Sequence, residues 1–149
     1  MIFTGYFGKV KEYTDRHLKL VSIANSTIRT TERYKIFKFP SLAPGSWIYN
    51  WKSSLKNGRS LDKAKNDYIN NYYTKCLNGI TPKNLFDSLY NFTDGYDAIL
   101  LCYEKPPIQM QLEGIIKLDW LEAGTSFCHR HLVADFLRDG GYECREYVL

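Results

Sequence analysis

Two short segments of this chain hold most of the side chains that could do chemistry: two of its four cysteines, two of its three histidines, a carboxylate and a guanidinium. Residues 100–106 form an apolar run that ends in polar residues, and residues 127–131 are typical of a helix start. The reactive side chains are Cys102, Glu104, Cys128, His129, Arg130 and His131. Open α/β sheets bind ligands just past the carboxyl end of a strand and at the amino end of a helix. The sequence therefore predicts a site between a strand at 97–103 and a helix at 127–139.

The first chemistry that this site predicts is anion binding. A helix start leaves about four backbone N–H groups without intrahelical partners and carries roughly half a positive charge. Arginine, and histidine when protonated, adds charge-assisted donors. We therefore expect a phosphate-bearing, nucleotide-like small molecule to bind there, although no glycine-rich phosphate loop is present. The residues expected to contact it are Arg130, Cys128, His129, His131, Tyr103, Trp120 and Asn25.

The second chemistry is nucleophilic catalysis, in an enzyme that acts on a nucleotide or nucleobase. A thiol at a helix start beside His and Arg has a lowered pKa, so Cys128 is the candidate nucleophile, with Glu104 or His129 as proton carrier. A Cys128 that only packs beneath the helix is the alternative, since free cysteines are usually buried. Glu104 could equally pair with Arg130 and orient the helix. Whether the ligand is processed, or only sequestered or sensed, stays open at this point.

A metal centre is the third chemistry. The two segments contain possible zinc ligands in Cys102, Glu104, Cys128, His129 and His131. Their spacing is not that of a standard structural zinc site, and adjacent residues at a helix start are expected to point in different directions. We therefore predict neither a metal nor a cofactor.

The composition restricts the remaining functions. The 149 residues are enough for one core, so we expect a single domain spanning 1–149. The net charge of +4 comes from scattered lysines and arginines, so nucleic-acid binding through the 33–59 region is possible but not favoured. No run approaches the roughly 18 apolar residues of a membrane span. With neither a signal peptide nor a CxxC pair, we expect a cytoplasmic protein, no membrane partner and four free thiols.

The pattern of elements predicts the fold class. Residues 18–24 and 142–148 alternate as strands do, whereas 97–103 is apolar throughout, which is typical of a strand covered on both faces. Helices are expected from Ser60 to Gly79, after Thr81-Pro82, and at 127–139, while 28–58 shows no regular pattern. This alternation predicts a compact Rossmann-like α/β domain with a mostly parallel sheet flanked by helices.

Residues 106–124 lie between the two halves of the site. Apolar residues alternate there with polar ones on both sides of Gly114, which predicts an inserted β-hairpin or arm. It would act as a lid beside the site, or as an extra packed hairpin or homodimer contact.

The paired segments resemble those of the domain of unknown function 488 family. Its members carry a Leu-Leu-Cys-x-Glu-Lys strand end and a Cys-His-Arg helix start, which match residues 100–105 and 127–136 here. The resemblance implies a small Rossmann-like α/β protein of bacteria or phages, with a site at these cysteines and no established activity. The chain departs from its relatives at 106–124, because they join the two motifs through only a few residues.

Overall fold

Five short strands form the centre of the computed structural model, which describes residues 1–26, 33–48, 61–103 and 128–148. The strands are β1 (Ile2–Tyr6), β2 (Lys19–Ser22), β3 (Ile36–Lys38), β4 (Ala98–Cys102) and β5 (Cys144–Glu146). Their order across the sheet is β3-β2-β4-β1-β5. Every neighbouring pair runs parallel. The predicted α/β fold with a largely parallel sheet is therefore confirmed.

Strand β4 is the most deeply buried strand, and its sequence explains why. All five of its residues are inaccessible to solvent, and it lies between β2 and β1. Ala98 and Leu100 point into one apolar cluster, while Ile99 and Leu101 point into another. An unbroken apolar run is what a strand covered on both faces requires. The prediction of such a strand is confirmed.

Helices cover both faces of this sheet. Among the described residues, the α-helices are α1 (Val10–Asp15), α2 (Leu61–Lys75), α3 (Pro82–Phe92) and α4 (His129–Asp139). The apolar side chains of α1 pack on one face, with Ile99 and Leu101. The apolar side chains of α2, α3 and α4 pack on the other, with Ala98 and Leu100. In the part of the chain that the structure describes, no helix is both long and apolar enough to span a membrane.

The local signals for α3 act as expected. The hydroxyl of Thr81 accepts a hydrogen bond from the Asn84 amide at 3.1 Å, and Pro82 occupies the first turn. This cap satisfies one of the amides that a helix start leaves unpaired, and proline there loses no hydrogen bond. The start of α3 is therefore fixed by sequence alone.

Several predicted boundaries were wrong. Strand β3 lies inside the 28–58 region for which we expected no regular element, and β5 is limited to Cys144–Glu146. Helix α4 begins at His129, with Cys128 as its N-cap. The 106–124 segment, expected to form a hairpin, lies outside the described residues.

Candidate functional site

The candidate site lies at the point in the sheet where the connections that follow two neighbouring strands run in opposite directions. From β1 the chain passes through α1 to β2, and from β4 it leads to α4 and then to β5. These two connections depart to opposite sides along the sheet and cover opposite faces. Tyr6 and Cys102 are register partners at the carboxyl ends of β1 and β4. Parallel sheets usually bind ligands outside the strand ends at such a point.

The two cysteines of the site are brought together although 26 positions separate them. Cys102 and Cys128 form a disulfide, and their Cα atoms lie 7.3 Å apart. The expectation of free thiols is therefore wrong for this pair, while Cys76 and Cys144 are free. The pair links the end of β4 to the start of α4. Cys102 is fully buried at the end of β4.

Arg130 is fully buried and has partners inside the protein. Its Nε donates to both carboxylate oxygens of Glu146, at 3.2 and 3.1 Å, and its Nη2 donates to Oε1 at 3.0 Å. Its Nη1 donates to the Cys102 sulfur at 2.9 Å. The guanidinium thus links α4 to β5 and β4. These hydrogen bonds give Arg130 a structural role, and its contact with a ligand stays a prediction.

Glu146 is the site residue that sequence reasoning missed. We had considered a pair between Arg130 and Glu104, whereas the carboxylate that the structure places on Arg130 belongs to β5. Thr4, its register partner on β1, donates from its hydroxyl to Oε2 at 2.5 Å. A signal was present, because alternation along β5 places Glu146 on the same side as the buried Cys144. A carboxylate at an inward position of a strand requires a partner.

His129 is buried and neutral. Its Nε2 donates to the Ile23 carbonyl at 2.6 Å, and its Nδ1 lies 3.6 Å from the Cys128 sulfur. Burial lowers the pKa of His129 to about 4, and the nearby Arg130 charge acts in the same direction. Near pH 7 this histidine therefore carries no positive charge for an anionic ligand.

His131 occupies the first turn of α4 and is also buried. Neither ring nitrogen has a hydrogen-bond partner among the described residues. Its Nε2 lies 4.0 Å from Glu146 Oε2. Burial holds the pKa of His131 well below its usual value, and the charge of Arg130 adds to this effect.

The structure describes only some of the other residues that were predicted to act in the site. Tyr103 is 42% exposed, and its hydroxyl contacts the Ser26 side chain at 2.7 Å. Asn25 exchanges two hydrogen bonds with the backbone of Gly45, at 2.9 and 2.8 Å, so it braces a neighbouring loop. Glu104 and Trp120 lie outside the described residues.

Backbone groups at the start of α4 complete the site. Cys128 has an extended backbone, with φ −140° and ψ 148°, and its side chain does not cap the helix. Within the described ranges, the amides of His129 and Arg130 have no hydrogen-bond acceptor. Two N–H donors at the positive end of the helix dipole are therefore without an acceptor in the part of the chain that the structure describes.

The fold and site define a Rossmann-like α/β protein with a buried cluster of cysteine, histidine, arginine and glutamate at one end of its sheet. Searches of family models, curated proteins and solved structures found no match to the chain. The resemblance to the domain of unknown function 488 family stays a prediction.

Proposed function

We propose that this protein binds a phosphate-bearing, nucleotide-like small molecule at the carboxyl edge of the sheet, against the start of α4. The observation that carries the proposal is that the amides of His129 and Arg130 have no acceptor among the described residues, at the point where the connections after β1 and β4 run in opposite directions along the sheet. A phosphate would accept both N–H groups and offset the positive end of the helix dipole.

The ligand contacts that we propose differ from those expected from the sequence. Arg130 is bonded to Glu146 and Cys102, and His129 is neutral, so backbone N–H groups rather than side-chain charges would bind the anion. The exposed ring of Tyr103, beside the same strand end, would cover a flat part of the ligand. Preformed backbone donors need no reorganisation on binding, which favours recognition of a small anion.

Substitution of His129 by proline tests this contact directly. His129 is the first residue of α4, where proline is well tolerated, and the extended Cys128 before it suits a following proline. The exchange removes one unpaired N–H and also the imidazole, so His129→Ala is the matched control that keeps the amide. Compared with His129→Ala, we expect His129→Pro to bind adenosine monophosphate at least about tenfold more weakly, because a hydrogen bond to a charged group contributes about 1.5–3 kcal/mol.

Isothermal titration calorimetry would measure the affinity of both variants for adenosine monophosphate. Inorganic phosphate and adenosine would be titrated separately, because each represents one part of that ligand. Amide chemical shifts at His129 and Arg130 in the wild-type protein would locate the anion. Equal affinities for the two variants, or shifts confined to another surface, would contradict the proposal.

Thiol chemistry at Cys128 is a second candidate function, in which the bound ligand is processed. The observation that favours it is the contact of Arg130 Nη1 with the Cys102 sulfur at 2.9 Å, because a cationic donor beside the sulfur pair stabilises a thiolate after reduction. Cys128 is only 1% exposed, and reactive cysteines are usually partly accessible. Burial therefore places this candidate second.

Alkylation of the reduced protein would decide this second candidate. If the site activates a thiol, we expect iodoacetamide near pH 7 to modify Cys128 or Cys102 well before the buried Cys144, whose pKa is raised to about 12 by burial. Peptide mass spectrometry would identify the modified position. The candidate fails if the pair reacts only when the protein unfolds, with Cys128→Ser as the control for assignment.

Ligand recovered unchanged from the denatured complex would indicate a sequestering or sensing role instead of an enzyme. Nucleic-acid binding and a homodimer through 106–124 stay predictions.

A further inference from the structure

We propose that the reduced protein binds a zinc ion through the Cys102 and Cys128 sulfurs and Nδ1 of His129. This site needs no nucleotide-like ligand, so it is independent of the proposed function. It also differs from our expectation that no metal binds.

The three ligand atoms already lie close together, and reduction of the disulfide would free the two sulfurs to separate. One potential ligand atom from each residue lies within 4.8 Å of the others, and all three residues are buried. Zinc lies about 2.3 Å from thiolate sulfur and about 2.0–2.1 Å from imidazole nitrogen. Tetrahedral ligand atoms at those distances are separated by roughly 3.3–3.8 Å. Small movements of these side chains would therefore complete the coordination.

The orientation of His129 is the strongest independent support. Its Nε2 faces the Ile23 carbonyl at 2.6 Å and must donate a proton to it, which leaves the Nδ1 lone pair on the side of the Cys128 sulfur. Metal-bound histidines usually donate their other ring N–H to a carbonyl or carboxylate in this way, which fixes the tautomer. The sequence-based objection, that adjacent residues at a helix start point apart, does not apply to Cys128 and His129.

The backbone around the cysteines also suits a metal. The Cα atoms of Cys102 and Cys128 lie 7.3 Å apart, whereas disulfides usually join Cα atoms about 4.4–6.8 Å apart. This spacing leaves room for the two sulfurs to separate around an ion. The Arg130 Nη1 donor at Cys102 would orient that thiolate and offset part of its charge.

Zinc can bind only after the disulfide between Cys102 and Cys128 is reduced. A phosphine or thiol reductant supplies two electrons and is itself oxidised, and the S–S bond takes up two protons and becomes two thiols. Zinc then displaces both thiol protons, so the ion and the two thiolates are together neutral. Two cysteines and one histidine leave the fourth position of a tetrahedral ion for a water or an added ligand, as in catalytic rather than structural zinc sites.

Titration of the reduced, chelator-treated protein tests the site without any activity assay. We expect one equivalent of Zn²⁺ to bind in competition with a chromophoric chelator, and one equivalent of Co²⁺ to show sulfur-to-cobalt charge-transfer absorption. Cys102→Ser, Cys128→Ser and His129→Ala should each lower zinc affinity at least tenfold. Cys76→Ser is the matched control, because Cys76 is a free cysteine outside the cluster, and it should bind zinc like the wild type.

Circular dichroism of each variant would show whether it is folded, and the cobalt spectrum of the wild type does not depend on any variant. The proposal is overturned if the folded, reduced wild type binds no zinc, if its cobalt complex lacks the sulfur band, or if Cys76→Ser loses as much affinity as the three ligand variants. Loss of nucleotide binding with zinc binding intact would affect only the proposed function.

Discussion

Arg130→Met should lower the free energy of unfolding by about 3–5 kcal/mol, because it leaves the buried Glu146 carboxylate without its counter-charge. Arg130 is fully buried and Glu146 is 4% exposed. Three short contacts join the guanidinium to the carboxylate, and a fourth reaches Cys102. Since small domains are stable by only about 5–15 kcal/mol, this loss would remove a large share of the total stability. Urea denaturation followed by circular dichroism would measure the change.

The double variant Arg130→Met/Glu146→Leu shows whether the loss comes from the unpaired charge. Removing both charges leaves no buried ion, and hydrophobic replacement of a buried pair is often nearly neutral. We therefore expect the double variant to be more stable than Arg130→Met alone. Lys83→Met is the control, because it removes one partner of the exposed Lys83–Asp87 ion pair. It should leave the midpoint of urea denaturation almost unchanged. A loss for Arg130→Met no larger than that of Lys83→Met would contradict a buried, coupled pair.

The fold follows largely from patterns that act locally. The apolar run of β4 requires cover on both faces, and Thr81-Pro82 begins α3 through its own hydrogen bond. Strand β3 was missed because its pattern does not alternate clearly: Ile36 and Phe37 are both half-buried, and Lys38 is exposed. Its place at the edge of the sheet depends on pairing with β2, a nonlocal interaction.

The structure brings the two predicted segments together, but it gives several of their residues partners that the sequence did not predict. The strand pattern at 97–103 and the helix pattern at 127–139 predict that Cys102 and Cys128 lie close together, so this contact can be predicted from the sequence alone. The partner of Arg130 could not be read in the same way, because it depends on β5 lying beside β1 in the sheet order. The neutral state of His129 likewise follows from its burial under the assembled fold.

Acidification should destabilise the disulfide form by about 3 kcal/mol between pH 6.5 and pH 4 through His129 alone. Burial lowers the pKa of His129 from 6.5 to about 4. Between those values the unfolded chain binds a proton that the folded protein excludes, so this contribution is complete above pH 6.5 and is lost as the pH falls. His131 acts in the same direction: burial and the charges of Arg130 and Arg138 lower its pKa, although Glu146 lies 4.0 Å away.

Urea denaturation at pH 7.0, 5.5 and 4.5, with chelator present, would measure how the free energy of unfolding changes with pH. Most carboxylates are still ionised in this range. Each histidine should contribute about 1.4 kcal/mol per pH unit within its range. His129→Gln, whose amide can still donate to Ile23, should flatten the profile, whereas His17→Gln, at an exposed position, should leave it unchanged. A wild-type stability that is constant from pH 6.5 to 4.5 would contradict this prediction. It would mean that His129 accepts a proton in the folded state, and the site would then carry a positive charge for an anionic ligand despite its burial.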